Sequence, residues 1–451
     1  MSGPVIARLD RFARQQKRAW FGRVRRGLKI AGHGAGKAIA AARLATSKRR
    51  AHAARRGGRL VALYGPRVRK PFKILRERLV NAVLAARNLS RKAVLRLWGW
   101  RRPFVRWRRN RRRTEEKWAA LRVELALERE IDALADGTDP IIVGPWLSEV
   151  GFETLYWIPF VRWFRSAHHI KSDRLCVLTR GGAAAWYADI TPHHVEIFDL
   201  VTPEAFATYN NAKAEATGGT VKQLGMSAFE RDLVDQACGR WGVPRARVLH
   251  PSLMYRLFQQ FWAGNRPLSF LDEHTLYTTV APPAADRALP PLPDDYVAVK
   301  FYAAQSLQDT PDTRRLLGEL LAAISETHPI VLLDTGLALD DHGDYGFQTT
   351  KRVVSAREWM TPRDNLAVQT RIIAGARAFV GTCGGIAWLA PMLGIDTTAV
   401  MTDVRFLNVH LHVARRVYRV LDRGRFTPFD LGALAPLGLG LAASARSTEP
   451  A

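Results

Sequence analysis

The sequence predicts an α/β protein with two doubly wound, Rossmann-like parallel sheets behind a basic, partly helical N-terminal extension. Three observations carry this. After Pro140, short apolar runs alternate with amphipathic segments, the texture of a parallel sheet covered by helices. Five prolines within residues 281–293 divide those runs into two series, because no regular element tolerates so many fixed φ angles and missing donors. The second series closes on residues 379–394 (FVGTCGGIAWLAPMLG), which read as a buried strand, a glycine turn and the opening of a helix.

Taken in order, residues 1–114 are rich in Ala, Arg and Lys, with Asp10 and Glu77 as their only acids. Stretches 38–45 and 72–97 have helical composition, the second with amphipathic spacing. Acids return over 115–135, a helix leading into the globular part, and the boundary falls near Gly137. Strands are expected over 141–143, 175–178 and 195–198, and helices over 156–164 and 227–241. Past the linker come strand 296–301, helix 313–327, strand 330–334, short strand 352–354, helix 365–376, strand 378–381, helix 386–393 and strand 397–401. The implied division is an extension (1–137), a first α/β domain (138–280), a proline-rich linker (281–294), a second α/β domain (295–425) and a tail (426–451).

At 451 residues and 47% hydrophobic content the chain can bury a large core, which excludes a wholly disordered protein. Its net charge of +27 is unevenly spread. Residues 1–137 hold 38 Lys and Arg against 9 Asp and Glu, an excess of +29, and the remainder holds 30 against 32, a balance of −2. The three cysteines, Cys176, Cys238 and Cys383, form no C-x-x-C pair, so neither a disulfide framework nor a zinc site is indicated. No apolar core follows the N-terminal charges, so a secretory signal is not expected. The uncharged stretch 378–395 just reaches spanning length, but its four glycines and Pro391 suit a soluble core better. Residues 32–37 (GHGAGK) imitate a phosphate-binding loop, yet Ala31 and Ala38 stand where that motif needs Gly and Ser or Thr.

Chemistry is expected in two turns. The turn at 382–385 would leave backbone N–H groups open at a helix N-terminus, where the macrodipole favours a phosphate. The turn at 144–151 lies at the C-terminal edge of a strand, where open parallel sheets collect ligands, and it brings Glu149 and Glu153. A carboxylate there can take a proton from an attacking hydroxyl. The same residues could instead cap amides and occupy a first helical turn.

Two doubly wound domains, one opening with a strand, an acid-bearing glycine turn and a helix with an internal proline, the other ending in the glycine-rich turn, resemble GT-B fold glycosyltransferases, the heptosyltransferase-like and related bacterial polysaccharide-assembly enzymes among them. The resemblance covers roughly residues 140–425, and its late diphosphate-holding motif is matched by 365–394. Where heptosyltransferases carry Asp-Ser-Gly and a nearby His, this chain has Thr382-Cys383-Gly384-Gly385 and Trp388, a departure that bears on heptose as the donor sugar. The resemblance implies transfer of a sugar from a nucleotide-sugar to a hydroxyl of a glycan or lipid-linked acceptor. Glu149 or Glu153 would be the base, Thr382, Gly384 and Gly385 would hold phosphates, and Lys300 would supply the counter-charge, with Gln369 and Arg363 as further donor contacts and 354–359 near the nucleobase.

No D-x-D triplet occurs, so a metal-independent mechanism without a cofactor is expected, and the acidic run 340–344 reads as an exposed loop. His168-His169 and His193-His194 read as ordinary loop or surface residues. Trp98, Trp100, Phe104 and Trp107, interleaved with the basic arm, suit an anionic membrane surface, which is favoured over nucleic acid and places the protein in the cytoplasm at the inner face of the membrane. The rival reading is an RNA-binding or scaffolding protein that uses the arm, with a catalytically silent α/β body.

Overall fold

The computed structural model describes residues 78, 80–82, 84, 85, 105–216, 223–284, 288–337 and 343–433. The chain divides into two compact units, residues 1–113 and 114–451. In the first, the described residues are helical and exposed. The expectations for residues 32–37, 38–45, Trp98, Trp100, Phe104 and 340–342 lie outside the described residues.

The second unit holds two parallel sheets. The first is ordered β3-β2-β1-β4, with β1 (Ile141–Val143), β2 (Leu175–Thr179), β3 (His193–Glu196) and β4 (Arg247–Leu249). The second is ordered β10-β9-β8-β5-β6-β7, with β5 (Val297–Lys300), β6 (Ile330–Leu332), β7 (Val353–Ser355), β8 (Ala378–Thr382), β9 (Thr397–Met401) and β10 (Phe426–Asp430). All pairings are parallel, so the α/β expectation holds. Central strands β1 and β2 are buried at every position, which is why they read as unbroken apolar runs.

The helices cover these sheets. A continuous helical run comprises Val150–Phe152, a π-helical turn Glu153–Trp157 and α1 (Ile158–Ala167). It is followed by α2 (Pro203–Ala216), α3 (Ala228–Trp241), α4 (Pro251–Trp262), α5 (Leu268–Asp272), α6 (Pro311–Thr327), α7 (Asn365–Ala374) and α8 (Asn408–Leu421). Ser227 closes a capping box with Glu230 at the start of α3, and Gly242 ends that helix at φ 77°. Thr310 caps α6 ahead of Pro311.

Several boundaries differ from expectation. Residues 114–135 do form a helix, but Leu127 and Ile131 lie 1% exposed in the main core, so this segment belongs to the globular unit and not to the extension. The strand expected over 195–198 sits two residues earlier, and Ile197–Asp199 turns as a 3-10 helix capped by Glu196. The helix expected over 386–393 is two 3-10 turns, Gly385–Trp388 and Ala390–Leu393, because Pro391 cannot donate into a continuing α-helix. The tail was expected to begin at 426, but Phe426–Asp430 pairs in register with Thr397–Met401 and completes the second sheet.

One apolar core runs through both lobes: Trp157, Phe160 and Trp186 of the first join Leu366, Ile372, Ile386 and Trp388 of the second. Trp186 Nε1 donates to Thr370 Oγ1 at 3.0 Å, and Leu366 N donates to Gly181 O at 2.8 Å. Helix α8 crosses back to the first lobe, where Arg416 pairs with Asp272 and His410 Nδ1 lies 2.6 Å from the Tyr156 hydroxyl.

Candidate active site

In both sheets the strand order reverses beside the first strand, at β1 in one and β5 in the other, and crevices form beyond the C-terminal ends of strands at such switch points. The two crevices face each other as one cleft with two chambers. Glu149, Gly151, Tyr302 and Gly385 line both. The first chamber adds Arg180, Lys300, Thr335, Asp344, Asn365 and Gln369. The second adds Phe152, Tyr156, Ser306, Trp388, Leu407 and His410.

The loops from the two lobes touch at glycines. A Cβ on Gly151 would stand 2.9 Å from Gly385 N and 3.0 Å from Trp388 Cδ1, so only hydrogen fits between the loops. Gly384 and Gly385 have φ 140° and 44°, and a Cβ on either would stand 2.9 Å from the Tyr302 hydroxyl. Thr382 is 1% exposed. Its Oγ1 accepts from Tyr302 N at 2.9 Å and donates to Tyr302 O at 3.0 Å. That hydroxyl pins Tyr302 behind the cleft wall and does not line it. The glycine turn opens a four-residue 3-10 turn and not an α-helix, so the expected macrodipole is replaced by single amides.

The two glutamates expected to act together are separated. Glu149 sits before the helical run with extended backbone (φ −63°, ψ 140°), and its side chain lines the cleft. Glu153 begins the π-helical turn, is fully buried and lines neither chamber. Its Oε1 accepts from Tyr187 OH at 2.7 Å and Thr179 Oγ1 at 3.0 Å. Burial pushes its pKa up to about 7, against the opposing pull of the Arg180 charge and of those two hydrogen bonds.

Arg180 follows β2 and is 6% exposed. Its Nη2 donates to Ser148 O at 2.7 Å, which ties it to the loop bearing Glu149. Its Nη1 lies 3.8 Å from Glu153 Oε2 and makes no hydrogen bond. Lys300 Nζ donates to Leu333 O at 2.9 Å and to Asp344 Oδ1 at 3.2 Å, so its charge already has a partner. Asp344 also accepts from Thr335 N at 2.7 Å, which makes it a cleft residue where an exposed loop was expected. Gln369 is 1% exposed, donates to Asn365 O at 3.1 Å, and leaves Oε1 without a partner on the chamber wall. Arg363 lies outside the cleft and pairs with Asp199 at 2.9 Å, from lobe to lobe.

Sequence reasoning missed Arg180, Tyr302, Asn365, Tyr156 and His410 as cleft residues. Arg180 carried a signal, a cation at the end of an apolar run followed by Gly181-Gly182. His410 carried none, since only the return of α8 to the first lobe brings it to Tyr156. Among the described residues no cluster of three or more His, Cys, Asp or Glu could hold a metal, and no helix is long and apolar enough to cross a membrane.

Fold and site together define a two-lobed parallel α/β protein with a cleft between the lobes. No family model and no curated protein sequence matches the chain. Among solved structures it is similar to the iron-containing dodecameric glycosyltransferase TibC from enterotoxigenic E. coli, with 14% identity, 58% of each chain covered and a TM-score of 0.29. It therefore spans a little over half the length of that protein. It is also similar to E. coli ADP-heptose lps heptosyltransferase II (12% identity, 68% of this chain and 99% of that one, TM-score 0.36). A third similar structure is E. coli heptosyltransferase WaaC with ADP (14% identity, 68% and 98%, TM-score 0.33).

Proposed function

We propose that this protein moves a sugar from a nucleotide-sugar to a hydroxyl of a glycan or lipid-linked acceptor, with Glu149 as general base. The observation that carries the reading is the joint: Glu149 of the first lobe and Tyr302 and Gly385 of the second line both chambers. A donor in one chamber and an acceptor in the other would meet beside that carboxylate.

In this reading the diphosphate lies in the first chamber, where Arg180 Nη1 stands buried with no hydrogen bond of its own. A buried donor with no hydrogen bond is costly, and an anionic oxygen at Arg180 would supply one. The acceptor oxygen attacks the anomeric carbon, a new C–O bond forms, the bond from that carbon to the phosphate oxygen breaks, and the nucleoside diphosphate departs with the electron pair. Glu149 takes the hydroxyl proton. Arg180 and Lys300 face the charge that grows on the leaving group. Glu153 acts through Arg180 as a positioning residue. Thr382 fixes Tyr302, and Arg363 holds the rim. The anionic membrane surface belongs to the same reading as partner of the basic arm, which would keep the protein at the inner face of the membrane.

The test has two stages. ADP, UDP and GDP are screened by thermal shift, where a ligand at 100 times its dissociation constant adds about 2.7 kcal/mol. With the matching nucleotide-sugar, Glu149→Gln is expected to slow transfer roughly 100- to 10,000-fold while nucleoside diphosphate binding stays within about twofold. Near-normal turnover in the variant removes Glu149 from the mechanism.

A further inference from the structure

The two chambers differ in charge. The first is lined by Arg180 and by Lys300, the latter paired with Asp344. The second has no Lys or Arg among its described lining residues; Phe152, Tyr156, Trp388 and Leu407 form its apolar walls, and Tyr302, Gln305, Ser306, His410 and the Gly384-Gly385 turn also line it. Arg415, whose charge reaches Cys383, is exposed and does not line the chamber. We propose that the second chamber is the acceptor subsite and that it takes an uncharged hydroxyl compound with an apolar ring face, to the exclusion of phosphorylated or carboxylated acceptors. This rests on the sugar-transfer reading.

The physical reason is desolvation. An anion in this chamber would leave water for largely aromatic walls, with no Lys or Arg to receive it and with the Glu149 carboxylate at the junction. A neutral ring loses little on entry and gains contact with flat side chains. Those side chains are held in place beforehand. The Phe152 ring meets His410 edge-on with centroids 5.2 Å apart, and Tyr156 meets Trp262 edge-on at 5.2 Å. The Tyr156 hydroxyl and His410 Nδ1, 2.6 Å apart, place polar atoms beside these rings. Trp388 borders Gly151 at the junction, so a ring against it would present its hydroxyl near Glu149. A preformed wall also lowers the ordering cost of binding.

The experiment uses the full chain saturated with whichever of ADP, UDP and GDP binds, and calorimetry with two probes that differ by one carboxylate, p-nitrophenyl β-D-glucoside and p-nitrophenyl β-D-glucuronide. The glucoside is expected to bind at least tenfold more tightly, about 1.4 kcal/mol. Gln305→Lys, at an exposed residue of the second chamber, should narrow that gap at least threefold by supplying the missing cation. Leu407→Trp should weaken glucoside binding by filling the space, with circular dichroism confirming that each variant is folded. Equal or tighter binding of the glucuronide overturns the proposal, as does binding of neither probe, or a gap that Gln305→Lys leaves unchanged in folded protein. Nucleotide binding is read separately: if none of ADP, UDP and GDP binds, the sugar-transfer reading falls, whatever the probe pair shows about the chamber.

Discussion

Glu149 and Glu153 share one short motif and have opposite surroundings. The spacing of four residues would put both on one helix face, but Glu149 precedes the helical run with extended backbone while Glu153 opens its π-helical turn inside the core. Because Glu153 titrates near 7 in the folded protein and near 4.5 in its ordinary state, the native state holds the proton more tightly than the unfolded one. The contribution of this group to stability is therefore fully present below about pH 4.5 and is lost as pH rises through 7, by about 3 kcal/mol in all. Glu196, pushed up to about 7 by burial, acts in the same direction. Urea unfolding at pH 5 and pH 8 should show the loss in the wild-type protein and a clearly smaller one in Glu153→Gln. Equal slopes would mean that Glu153 does not titrate in this range.

At the scale of elements, what matters is how the loop bearing Glu149 is held. Gln223, fully buried, accepts from Leu147 N at 2.9 Å and donates to Pro145 O at 2.8 Å and Glu230 Oε1 at 2.6 Å. Glu230 in turn closes the capping box of α3, so the helix start and the β1 loop share one buried network. Gln223→Leu leaves the loop's N–H and C=O unpaired and should cost roughly 1–3 kcal/mol. It should also lower kcat more than it raises KM for the nucleotide-sugar, which initial-rate kinetics can separate. Gly151→Ala should wedge the loop off Gly385, with a fall in transfer and in Tm. Full activity in that variant would show that the lobes do not meet as tightly as the 2.9 Å approach implies.

For the whole molecule, the shared core and the Trp186–Thr370 hydrogen bond join the two lobes of the second unit. A protein of residues 114–451 is expected to unfold in a single calorimetric transition, and two resolved transitions would separate the lobes energetically. Trp186→Phe should cost about 1 kcal/mol beyond its lost packing through the hydrogen bond. Arg363→Ala, at an exposed ion pair, should change stability by less than about 1 kcal/mol.

By itself the sequence determined the α/β class, the order of most strands and the two turns that meet in the cleft, because buried parallel strands and glycine turns leave local marks in apolar runs and Gly positions. Glu149, Lys300, Gly384 and Gly385, singled out in the sequence by their distance from a strand end, all line the cleft, whereas Thr382 does not. The tertiary structure decided the rest. Burial sent Glu153 into the core, a backbone bridge to Tyr302 engaged the Thr382 hydroxyl, and Pro391 broke an expected helix into 3-10 turns. The return of α8 to the first lobe placed His410 beside Tyr156, although 254 residues separate them in the chain. Contacts of that kind depend on how the lobes pack, and periodicity along a chain records only which face of an element is buried, not what lies against it.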